Sequence, residues 1–72
     1  MTLPPLPLLH DPDSFVIYLD DSPLRILSIT RFSNNQNTQG EQVLFYSLDE
    51  ETRRAVLQQI NRRYPGKVIR VQ

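Results

Sequence analysis

SLDEETRRAVLQQINRRYPGKVIRV, residues 47–71, contains the helix around which the rest of the fold can be read. Ser47 and Glu50 have the spacing of a capping box, in which the hydroxyl accepts one orphan amide and the carboxylate reaches back to another. Asp49, Glu50 and Glu51 fall in the first turn and Arg62 and Arg63 in the last, each charge at the end the helix dipole favours. Pro65–Gly66 stops the helix near Tyr64. Val56, Leu57, Ile60 and Tyr64 share one arc, expected to face a sheet, and Arg53 lies inside that arc with its stem against the sheet rim. Successive helical residues point about 100° apart, so neither Arg53–Arg54 nor Arg62–Arg63 presents both guanidinium groups to one surface. Arg54 and Arg62 lie on the solvent side with Glu51 between them and Glu50 nearby, so the doublets read as solvated helix surface.

Outward from the helix the pattern changes to that of strands. SFVIYL (14–19) and LRILSITRF (24–32) are rich in β-branched and aromatic residues and are separated by the turn residues Asp20, Asp21, Ser22 and Pro23, which predicts a hairpin. SNNQNTQGEQ (33–42) is polar and aperiodic, so a flexible loop is expected there. VLFYS (43–47) reads as a third strand and KVIRV (67–71) as a last one. The proline-rich start, 1–13, is expected to be an extended arm. The expectation is one α+β domain over 14–72, of order β-β-β-α-β, with a mainly antiparallel sheet and one helix on one face.

A chain of 72 residues has room for one domain and a marginal core. It has no cysteine, which excludes disulfides and thiolate metal sites, so a partner or self-association is the expected external support. Eight basic and eight acidic side chains leave no net charge, unlike the excess typical of phosphate binders. Residues 1–40 are slightly acidic and 41–72 slightly basic. No apolar run reaches the ~20 residues needed to span a bilayer. MTLPPLPLL lacks the basic region of a signal peptide, so a cytoplasmic location is expected.

The remaining candidates carry little chemistry. LPPLP (3–7) has P-x-x-P spacing but no flanking basic residue, and reads as an apolar arm lying over the domain. His10, Asp11 and Asp13 could weakly hold a divalent cation, although a surface turn explains them; Asp20 and Asp21 are turn residues too. No nucleophile, phosphate loop, metal-ligand pattern or cofactor motif occurs, so neither an enzyme nor a cofactor or metal site is expected. The ending QQINRRYPGKVIRV (58–71) resembles the helix-to-strand ending of the small phycobilisome linker domains, where an R-I-N-R-type helix end meets G-G-K-I-V. Here Tyr64–Pro65–Gly66 adds one residue between Ile60 and Lys67 and only one glycine is present. The resemblance implies an assembly protein and transfers no functional residue.

Alternation along the strands supplies the functional expectation. Phe15, Ile17 and Leu19 oppose Val16 and Tyr18. Leu24, Ile26, Thr30 and Phe32 oppose Leu27 and Ile29, and Val43 and Phe45 oppose Leu44 and Tyr46. Both sheet faces are then apolar at the centre, and one helix covers only one of them. The other is expected to bind a protein through Tyr18, Leu27, Ile29, Leu44 and Tyr46, rimmed by Arg25 and Arg31. The arm, a second copy giving a homodimer, or another protein could cover it. The expected function is a non-catalytic, self-associating interaction module acting as accessory subunit or regulator. The alternatives are a nucleic-acid-binding module using Arg25, Arg31, Arg54 and the sheet tyrosines, and a phycobilisome-linker-like assembly protein.

Overall fold

The computed structural model describes residues 1–33 and 39–71. Four strands, β1 (Leu6–His10), β2 (Asp13–Asp20), β3 (Arg25–Phe32) and β4 (Glu41–Val43), form one antiparallel sheet in the order β1-β2-β3-β4. One helix, α1 (Glu50–Arg63), packs on one face. The class is α+β, as the sequence patterns imply, but four of its elements differ from expectation.

The first difference is β1. Residues 6–10 pair with Asp13–Ile17 instead of continuing a polyproline arm. Pro7 is tolerated because its carbonyl accepts from Gln59 Nε2 at 3.0 Å, so its backbone points away from β2 and no ladder bond is lost. Before β1 the chain stays beside β2, with a Thr2–Asp20 bridge and Leu3 N–H donating to the Leu19 carbonyl at 3.1 Å. The arm therefore widens the sheet and does not lie over its outer face.

The second difference lies in β3. Ile17 pairs with Ile29 and Tyr18 with Ser28, but Leu19 pairs with Ile26, which leaves Leu27 as the extra residue of a bulge. A one-residue insertion reverses which positions point inward. Leu24 and Ile26 therefore face the core before the bulge and Ile29 after it, while Thr30 and Phe32 turn outward opposite Val16 and Ser14.

The third is the chain around residues 43–49. β4 ends at Val43, and Phe45–Ser47 is a short 3-10 turn rather than strand. The helix cap is Asp49, whose carboxylate accepts Thr52 N–H at 2.8 Å; Ser47 instead donates its hydroxyl to the Leu44 carbonyl at 2.7 Å. Starting the helix two residues later leaves Leu48 extended and buried in the core. Of the loop expected at 33–42, residues 34–38 lie outside the described residues, and Glu41 and Gln42 belong to β4.

The fourth is the C-terminal segment. Residues 67–71 make a single parallel bridge, Arg70 to Arg25, with Arg70 N–H on the Leu24 carbonyl at 2.9 Å and Ile26 N–H on the Arg70 carbonyl at 3.3 Å. The β3 bulge directly follows and interrupts the ladder that a full strand would extend. Gly66, at φ 82°, supplies the left-handed backbone that turns the chain out of α1.

The core is Leu6, Phe15, Ile17, Leu19, Leu24, Ile29, Phe45, Leu48, Val56 and Ile60. Within α1 the buried stripe runs Thr52, Val56, Ile60, so the inward arc is turned from the expected one and leaves Leu57 36% exposed. Gln59 on Pro7 and Glu51 at 3.8 Å from His10 set α1 antiparallel to β1.

Candidate interaction surface

The residues expected on one outer face are dispersed. Ile29 is 1% exposed and belongs to the core, so it is withdrawn from the surface; the bulge is the reason. Leu44 and Tyr46 leave the sheet with the 3-10 turn, and are 75% and 65% exposed. Tyr18 remains on the outer face, half-exposed and opposite Ser28. By register that face carries Pro7, Leu9, Val16, Tyr18 and Phe32 together with Ser14, Ser28, Thr30 and Gln42, so polar side chains interrupt it at its centre.

What the fold does bring together is Leu27 and Leu44. The outer edge of β3 is occupied by β4 at Ile29–Arg31 and by the C-terminal segment at Arg25. Leu27 and Ser28 lie between, with no strand neighbour on that edge among the described residues. The gap is a slot of about 130 Å³, walled by Ile26, Leu27, Val43, Leu44 and Val71. A 150 Å³ apolar cavity holds a benzene-sized group, so a slot of this size takes one apolar side chain. Leu27 is 48% exposed at its rim, and the Tyr46 ring stands edge-on to buried Phe45 at 5.2 Å. Ile26, Val43 and Val71 were not expected in the surface; only the interruption at 27–28 places them there.

The arginines at its sides are engaged within the chain. Arg25 contacts the Asp20 carboxylate at 2.9 Å, and its buried Nε has no hydrogen-bond partner. Arg31 contacts Glu41 at 3.0 Å. Asp20 is held below the usual aspartate pKa, first by a hydrogen bond from the Met1 amino group, 2.9 Å away, and then by Arg25. Lys67 meets Asp21 at 3.3 Å, which ties the β2–β3 turn to the segment after α1. Asp49 is also lowered, by the side chain and backbone N–H of Thr52.

Arg53 and Arg54 diverge as expected, whereas Arg62 and Arg63 line one recess with Leu6 and Gln59. Arg53 donates to the Leu48 carbonyl, Arg54 approaches Glu50 at 3.5 Å, and Arg63 lies 5.2 Å from the centre of the Tyr64 ring. Among the described residues no group of three His, Asp or Glu side chains converges as a metal site, and no helix is long and apolar enough to cross a membrane.

No family model matches this chain, no curated protein matches it, and no solved structure matches it. The resemblance of residues 58–71 to the phycobilisome linker ending is thus not extended by any comparison.

Proposed function

We propose that this chain is a small non-catalytic interaction module of the cytoplasm that docks on a protein as an accessory subunit and also self-associates. The observation that carries the reading is the slot at Leu27–Ser28. An unpaired strand edge and exposed leucines flank a recess sized for one side chain, the arrangement in which a buried anchor supplies most of an interface's energy. Tyr46 adds a large amphipathic ring beside it, of the type enriched at interfaces. Arg25 and Arg31 act as structural ion-pair partners in this reading rather than as a charged rim. Their pairing also counts against the nucleic-acid alternative, since Arg25, Arg31 and Arg54 each meet a carboxylate of the same chain.

The test is a photo-crosslinking residue at position 44 of the full chain, expressed in its native host. The expected product is one discrete protein adduct, lost when Leu27→Asp is introduced. Recovery of crosslinked nucleic acid, or of no adduct from a folded chain, would overturn the reading.

A further inference from the structure

All acidic side chains lie within residues 1–51, so the end of the chain offers its own arginines no carboxylate. On α1, Arg54 meets Glu50 one turn before it, but one turn before Arg62 and Arg63 stand Gln58 and Gln59. Among the described residues, the guanidinium groups of Arg62, Arg63 and Arg70 have neither a hydrogen bond nor an ion pair, whereas Arg25, Arg31, Arg54 and Lys67 each meet a carboxylate. The helix dipole favours cations in a last turn, which accounts for Arg62 and Arg63 being there but not for their meeting.

They meet because of Gln59. Arg62 and Arg63 follow it by three and four residues, the two spacings that make neighbours on a helix surface. Gln59 is tied to the Pro7 carbonyl at 3.0 Å, which sets Leu6, the first residue of β1, beside the last turn of α1. The four residues line a recess of about 140 Å³, with two guanidinium groups and an amide as its polar groups and Leu6 as its apolar wall.

We infer that this recess binds an acidic segment of a partner protein, one Asp or Glu carboxylate held by both guanidinium groups and its aliphatic carbons against Leu6. The planar fork of arginine donors matches a carboxylate, and the volume admits one side chain. Two cations are too few for the other common anionic surfaces. Nucleic acid is held by a longer run of phosphate contacts, and anionic lipid by clusters of about 4–8 Lys and Arg. Lys67, the next cation along the chain, is taken by Asp21, and Glu50 and Glu51 at the other end of α1 repel an anion laid along the helix. The arginines are exposed, so the contact is weak and salt-sensitive. The site adjoins β1, on the opposite side of the sheet from the slot, and goes beyond the docking proposed there.

The test is an NMR titration of the isotope-labelled full chain with a short peptide in which two glutamates stand between leucines. The expected result is saturable shifts at the Arg62 and Arg63 Nε–H and at the Gln59 side-chain amide, with a Kd on the order of 1 mM that weakens as salt is raised. The glutamine counterpart of the peptide should leave these signals in place. Arg62→Gln and Arg63→Gln should each weaken binding several-fold. Circular dichroism checks that both variants are folded; if one is not, the other decides, and the comparison of the two peptides needs neither. Unmoved arginine signals, equal shifts with the glutamine peptide, or binding indifferent to both substitutions overturns the inference. Tighter binding of inorganic phosphate, a single-stranded oligonucleotide or phosphatidylserine vesicles at the same signals also overturns it. Because the titration uses the purified chain and a defined peptide, its failure and loss of the adduct at position 44 are separate results.

Discussion

The two sides of this sheet are finished in opposite ways. On the β1 side, five residues pair in unbroken register and the helix then covers the edge, with Gln59 bonded to Pro7 and Glu51 beside His10. On the far side of β3, a three-residue strand and one isolated bridge share the edge and leave a gap between them. The closed side joins Leu6, Phe15 and Ile17 to Val56 and Ile60 in the core. The open side has Leu27 and Leu44 in solvent. The closed edge thus carries the core, the recognition proposed for the slot belongs to the open one, and substitutions should sort accordingly.

The largest effect is expected at Ile60, fully buried between the helix and the sheet. Ile60→Ala should cost about 2–5 kcal/mol, enough to unfold a domain of this size. Urea and thermal melts measure it, and an unmoved midpoint would mean that the helix does not close this side.

Gly40 tests the start of β4. A Cβ there would run into the Thr30 methyl and stand 2.7 Å from the Phe32 ring. Gly40→Ala should therefore destabilise by about 1–3 kcal/mol through overpacking. Amide exchange should show the loss centred on the β3–β4 pairing and sparing β1–β2, which would sharpen the contrast between the edges.

A smaller, pH-dependent effect belongs to Asp20, at the hairpin end where the two sides meet. Its folded pKa is depressed by the Met1 amino group and Arg25, so its contribution is present above the unfolded value of about 4. That contribution is lost as pH falls through the lower folded value. The urea midpoint should hold at neutral pH and decline on acidification, and Asp20→Asn should lower the neutral plateau and flatten the acid limb. An acid limb identical in Asp20→Asn would remove this residue from the account.

The smallest effect is expected at Leu44. Leu44→Ala should leave stability within about 0.5 kcal/mol, because the side chain is exposed. A loss comparable to that of Ile60→Ala would erase the distinction between the two sides.

Much of this was legible in the residue order. Phe15, Ile17 and Leu19 point inward, as their alternation implies, and Val56 and Ile60 anchor the helix. The proposed interaction surface was only half visible. Of the residues read onto one sheet face, Leu27, Leu44 and Tyr46 are exposed, whereas Ile29 is core and Tyr18 lies on a different face. Strict alternation through residues 24–32 has no means of marking an inserted residue. VLFYS likewise has strand composition, although its second half is a turn held by Ser47 on the Leu44 carbonyl.

What the sequence determined by itself is whatever depends on near neighbours: a strand period of two along β2, a helical period along α1, an acidic first turn, a basic last one and a Pro-Gly stop. Those preferences act within a few residues and need no partner. Only the tertiary structure decided that Leu6–His10 is a strand, that Leu27 is the bulge, that Asp49 rather than Ser47 caps the helix, and that residues 27–28 lack a neighbour. Each of these depends on pairing register or on packing between segments distant in the chain. A proline excluded from a central strand is accepted at an edge, and Ile29 turns inward only because Ile17 is its partner.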